Sequence, residues 1–225
     1  MKIPIFDRIF SIFGEERQRE KLMLILRQYF FENPVAIAAV ILAGISLLVS
    51  LFTGRMPEMR KRRANWVCLF GYYAALILLL VFSRYWQGDV RGIRGFEIGY
   101  YLTENGFHEG NVLIIAVNAL VFVPFGSLLR KAAVSWRSGL LRSCGRAAAP
   151  VSALLQLFCV LAAGLLVEVL QLLFARGYFA AIDIAAYTAG SVVGILFMGI
   201  VLRISARREN RRTSLDMKRG KHDRY

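Results

Sequence analysis

The chain has 225 residues, of which 57% are hydrophobic and only 20% charged, with mean hydropathy +0.51 and a net charge of +14 at pH 7. That balance excludes an ordinary soluble domain, because the apolar residues fall in long uninterrupted blocks. Cys68, Cys144 and Cys159, with His108 and His222, are scattered at spacings that suit neither a disulfide framework nor a ligand set, so no metal and no cofactor is predicted.

Taken in order, residues 1–34 carry six basic and five acidic groups, with Ile3, Ile5, Phe6, Ile9, Phe10, Ile12 and Phe13 around Asp7, Arg8 and Ser11. This pattern predicts an amphipathic arm at the membrane interface. A cleavable signal peptide is not predicted, since no early apolar run leads to a small-residue cleavage site. Five blocks then reach the ~20 residues needed to cross about 30 Å of hydrocarbon. They are Val35–Thr53, Trp66–Phe82, Val112–Leu129, Val151–Ala175 and Ile184–Leu202. The fold class is therefore all-α, a polytopic bundle of about five transmembrane helices. Pro34 fits the first turn of the first helix, where its missing N–H is not needed.

The connecting segments set an orientation. Gly54–Asn65 holds Arg55, Arg60, Lys61, Arg62 and Arg63; Arg130–Pro150 holds five basic residues and no acid; and the tail from Arg203 holds nine basic residues against three acids. Together they carry 19 of the 29 basic residues, and by the positive-inside rule that side is cytoplasmic. The segment from Ser83 to Asn111 has four acids, three arginines and six glycines and reads as an irregular, mobile outer loop. The tail, residues 203–225, lacks apolar periodicity and is expected to be disordered, with the anionic inner leaflet as partner. It lacks stacking aromatics apart from Tyr225, and no nucleic-acid partner is expected.

Polar residues inside the spans are the informative ones. Asn118 lies within the third span, before Pro124 and Gly126, which are expected to kink or end that helix early. Glu168 and Gln171, at i and i+3, share one face of the fourth span, with Glu168 ~10 Å from its outer end at 1.5 Å per residue. Asp183, Tyr187, Gly190 and Gly194 line one face of the fifth, and the glycine pair reads as a close-packing motif. Arg84 at the end of the second span, together with Arg176 and Asp183 around the last outer turn, completes a set that converges on the outer leaflet. Buried carboxylates cost about 2.5–3.5 kcal/mol in a membrane span, so they face partners and often mark sites. Interhelical hydrogen bonding alone is the plainer explanation of the same residues.

The run NALVFVPFG from Asn118 to Gly126, then Glu168-x-x-Gln171, Arg176, and Asp183 followed by Tyr187-Thr188-Ala189-Gly190, resembles the VanZ-like membrane protein family over residues 66–202. On that resemblance the organisation is an N-terminal arm (1–34), an additional first helix (35–53), a VanZ-like core (66–202) and a basic tail (203–225). Arg84 matches an arginine that commonly follows the helix before the outer loop. The family's last motif usually has an acidic run before the Asp and an Asn four residues after it. Here Ala180, Ala181 and Ile182 replace the acids, and Tyr187 stands at the Asn position. The resemblance implies a multi-pass protein of the bacterial cell membrane, with founding members associated with teicoplanin resistance.

Three functions are compatible with these residues. The leading one is a protein, not necessarily an enzyme, that binds membrane lipids, a lipid-linked cell-wall precursor or a lipoglycopeptide at the outer leaflet, through Arg84, Asn118, Glu168, Gln171, Arg176 and Asp183. The second is a membrane enzyme with Glu168 and Asp183 as acid and base. The third is an assembly or scaffold subunit. The sequence leaves the oligomeric state open.

Overall fold

The computed structural model describes residues 33–82, 93–94, 109–144, 148–175 and 179–222. The N-terminal arm, Arg84, Arg176 and most of the segment between the second and third helices lie outside these. Five helices carry the described chain: α1 (Pro34–Phe52), α2 (Glu58–Ile77), α3 (Glu109–Cys144), α4 (Ala148–Leu173) and α5 (Ala181–His222). All five are long and apolar enough to cross a membrane. Two two-residue strands, β1 (Ile93–Arg94) and β2 (Phe179–Ala180), pair in parallel, Ile93 with Phe179 and Arg94 with Ala180.

Local chemistry sets the helix starts. Asn33 caps α1, its Oδ1 accepting from the Val35 and Ala36 amides at 2.9 and 3.4 Å, while Pro34 occupies the first turn as expected. A 3₁₀ turn, Thr53–Arg55, follows, and α2 opens after Pro57 with the exposed pair Glu58–Lys61 at 3.0 Å. The last turn of α2, Leu78–Phe82, is π-helical.

Three boundaries differ from the sequence reading, for one reason. The basic stretch before Trp66 is the start of α2, α3 passes through Pro124 and continues to Cys144, and α5 runs to His222 where disorder is expected. Hydropathy marks where hydrocarbon ends, whereas helix persists wherever the residues favour it, and Arg, Lys, Leu and Met do. Proline is tolerated inside a membrane helix when neighbouring elements satisfy the freed carbonyl. At 36 and 42 residues, α3 and α5 are ~54 and ~63 Å long, well beyond a ~30 Å hydrocarbon layer.

The parallel pair α3–α5 is the spine of the bundle. Its closest approach is at Gly126, Gly190 and Gly194, where an added Cβ would overlap the carbonyl oxygens of Ser191, Ala119 and Val123 respectively. Ser127 Oγ donates to the Gly194 carbonyl at 3.1 Å in the same contact. The paired glycines therefore do the close packing expected of them. Around this pair Leu69, Tyr72, Leu76, Val81, Phe122, Phe125, Leu129, Val160, Val167 and Tyr187 form one buried cluster. Tyr72 and Tyr73 each donate a phenolic hydrogen bond of 2.8 Å, to the carbonyls of Val121 on α3 and Ala163 on α4. Large apolar side chains such as Leu51, Phe70 and Phe158 face outward, as a lipid environment requires.

At the basic end Lys131 of α3 closes the end of α1. Its ammonium bonds the Ser50 carbonyl, the Ser50 hydroxyl at 3.0 Å and the Thr53 hydroxyl at 3.2 Å. The last carbonyls of a helix have no partner within it, and a cation there also suits the helix dipole.

Candidate functional site

The opposite end of the bundle holds a polar cluster built around the start of α5. Glu168 of α4 is 0% exposed, and its two oxygens take different donors. Oε2 accepts the Ala180 amide at 2.8 Å, and Oε1 accepts the Tyr187 hydroxyl at 3.1 Å. Ala180 immediately precedes α5, so Glu168 does from a neighbouring helix what the glutamate of a capping box does from its own third position. A carboxylate at that position also faces the positive end of the α5 dipole.

Asp183, in the first turn of α5, accepts from Asn118 Nδ2 at 2.8 Å. One turn further along each helix, the rings of Phe122 and Tyr187 stack at 4.4 Å with 23° between their planes. Asn118–Asp183 and Phe122–Tyr187 are thus successive rungs between α3 and α5, and Tyr187 extends the second rung to Glu168 on α4. Such a ladder fixes the relative rotation of three helices, because sliding α3 against α5 breaks a polar and an aromatic contact, and sliding α4 breaks the hydrogen bonds to Glu168.

Gln171, one turn beyond Glu168, is likewise 0% exposed. Its Nε2 donates to the Leu80 carbonyl at 3.2 Å, which lies in the π-helical turn of α2. Wider π turns release carbonyls from the regular ladder and recur at functional sites. Gln171 Oε1 has no hydrogen-bond partner among the described residues.

The structure thus brings together four of the six residues singled out by sequence, Asn118, Glu168, Gln171 and Asp183; Arg84 and Arg176 lie outside the described residues. Sequence reasoning missed the Ala180 amide, the Leu80 carbonyl and the partnership of Tyr187 with Glu168. Only the last left a signal, since Tyr187 follows Asp183 by four residues and occupies the same face. The two carboxylates considered as an acid/base pair each hold a separate protein donor. The β1–β2 pairing also places Ile93 and Arg94 at this end of the bundle, beside Phe179 and Ala180.

A family model described as VanZ/LLP1 matches residues 35–202. The match includes α1, which lay outside the resemblance drawn over residues 66–202. Comparisons with curated proteins and with solved structures find no match.

Proposed function

The chain belongs to the VanZ/LLP1 family, and from that premise we propose that it is a multi-pass protein of the bacterial cell membrane whose polar cluster engages a lipid-linked envelope component, or a lipoglycopeptide, at the outer leaflet. The side follows from charge: the basic end of the bundle carries the arginine-rich segments, so the end with Glu168 faces outward. Contribution to teicoplanin resistance belongs to this reading.

Gln171 carries the proposal. A buried acceptor left without a donor costs about 1–3 kcal/mol, and its amide stands beside Glu168 at the π-helical end of α2. A hydroxyl or amide N–H of a headgroup inserted between α2 and α4 would supply the missing donor. Binding of this kind needs a groove and matched donors and acceptors, with no bond made or broken.

The test is a pair of inhibitory concentrations in a susceptible bacterium producing wild type, Glu168→Ala, Glu168→Gln or Gln171→Leu at matched protein levels. Each buried methylene of an acyl tail contributes about 0.8 kcal/mol, so a lipid-tailed glycopeptide concentrates in the leaflet of the cluster and a tail-less one does not. The expected result is a larger shift for the tailed drug, lost in Gln171→Leu. Equal shifts for both drugs, or an unchanged shift in Gln171→Leu, would overturn the outer-leaflet site. A chemically altered drug or precursor made only with wild type would move the reading to an enzyme.

A further inference from the structure

A second binding feature lies away from the polar cluster. Before its π-helical turn, α2 packs against α3 but hardly against α4, which packs against α3 in its turn, and a cavity of about 310 Å³ occupies the gap. Its walls include Trp66, Phe70 and Tyr73 of α2 and Phe158 and Leu166 of α4, with Phe125 of α3 behind them. The hydrogen bond from Tyr73 to the Ala163 carbonyl, 2.8 Å, bridges α2 and α4 across this gap. Trp66 and Phe70 stack at 5.7 Å along one wall, and Tyr73 meets Phe125 at 5.5 Å. Phe70 and Phe158 are more than 60% exposed, so the cleft opens sideways, towards the hydrocarbon in a bilayer.

One turn before the cleft, towards the basic end, α2 is charged. Arg62 and Arg63 are exposed and precede Trp66 by four and three residues on α2, which places them on the same side of the helix, one turn towards the basic end. Helical side chains lean towards the N-terminus, so both guanidinium groups reach out of the hydrocarbon towards the headgroup layer. From Trp66 to Tyr73 the cleft rises seven residues, ~10 Å, within the roughly 15 Å that one leaflet contributes to the hydrocarbon. A cation pair above an aromatic cleft of one-leaflet depth is complementary to a single amphiphile with an anionic head.

We propose that the α2–α4 cleft is a binding site for one anionic phospholipid of the leaflet on the basic side, its acyl chain lying between Trp66, Phe70 and Phe158 and its phosphate at Arg62 and Arg63. A second copy of the chain would present an apolar helix to the cleft but no anion to the arginines, and the charge one turn before the cleft selects the lipid. The site is independent of the cluster around Glu168 and stands whether or not that cluster binds a headgroup.

The experiment uses full-length protein with Trp66 as its only tryptophan (Trp86→Phe, Trp136→Phe), reconstituted with lipids brominated on the acyl chain. Quenching of Trp66 by brominated phosphatidylglycerol is expected to exceed that by brominated phosphatidylcholine at equal mole fraction, by about fivefold in relative affinity for each arginine near the phosphate. Arg62→Gln with Arg63→Gln should bring the ratio close to one while leaving quenching by brominated phosphatidylcholine unchanged. Ala162→Phe, which fills the cleft from an exposed lining position, should reduce tail quenching by both lipids. An equal ratio in wild type, a ratio unmoved by the arginine replacements, or quenching unmoved by Ala162→Phe would overturn the proposal. So would crosslinking between copies through the cleft that excludes the brominated tail.

Discussion

The Tyr187 hydroxyl reaches the carboxylate of Glu168 at 3.1 Å across the α4–α5 boundary, while its ring is held on Phe122. One side chain thereby joins three helices, which makes the pair separable by mutation. Tyr187→Phe keeps the stack and removes the donor, and should destabilise the protein by about 1–3 kcal/mol because a buried carboxylate oxygen loses a donor. In combination with Glu168→Gln the costs should be non-additive by at least about 0.5 kcal/mol. Thermal unfolding in detergent for the four proteins of the cycle measures this, and strictly additive shifts would show that the contact carries no coupling.

The glycines divide into two kinds. At Gly190 and Gly194 a methyl group would overlap a backbone carbonyl of α3, and backbone does not yield as a flexible side chain does. Gly190→Ala should cost about 1–3 kcal/mol or prevent assembly. Gly44 of α1 has nothing within 4 Å of an added Cβ, and Gly44→Ala should stabilise by about 0.5–1 kcal/mol through helix propensity. Yields and melting temperatures of the two variants, compared side by side, are the check.

Ala175 closes α4 at φ 53°, in the left-handed region, and is 5% exposed. Helices commonly end on a glycine in this conformation, since any Cβ is strained there. Ala175→Gly should therefore raise the melting temperature slightly while leaving Glu168 and its partners in place. A fall instead would mean that the methyl group's packing outweighs the relieved strain.

Orientation is open to direct labelling. A reporter after Tyr225, or maleimide modification of Cys144 as the only cysteine, should mark the cytoplasmic side. A tag between Gly99 and Gly110 should react from outside intact cells. These outcomes follow from the 19 basic residues on one side of the spans. Outside labelling of Cys144 would invert the bundle and with it the leaflet assigned to the cluster.

The number of helices and the gathering of Asn118, Glu168, Gln171 and Asp183 at one end were legible in the sequence, because an apolar block of span length and a carboxylate within it are both costly to explain otherwise. Asn118, an amide within an apolar span, has its partner in Asp183. Helix ends were not legible: Arg203–His222 has no apolar stripe to report a helix, yet its backbone bonds are local and need none. Lys131 was counted among loop charges, although its contacts lie with Ser50 and Thr53, some eighty residues earlier. Periodicity along one helix carries no information about which distant helix it meets. Tyr187 illustrates the same limit, since its face could be assigned but not the carboxylate across from it.

That long separation between Lys131 and Ser50 bears on how the protein is made. The α1–α2 hairpin leaves the ribosome with the Ser50 carbonyl bonded locally by the Thr53 hydroxyl at 2.9 Å, while the lysine that also bonds it is 81 residues further down the chain. Until α3 enters the bilayer, the first helix is held by its contacts with α2 alone. Lys131 then adds a long-range tie at its basic end. A nascent chain halted before residue 131 should therefore carry α1 inserted but loosely docked, and one halted after α3 should hold it fast. The oldest helix is thus tied by a much younger residue.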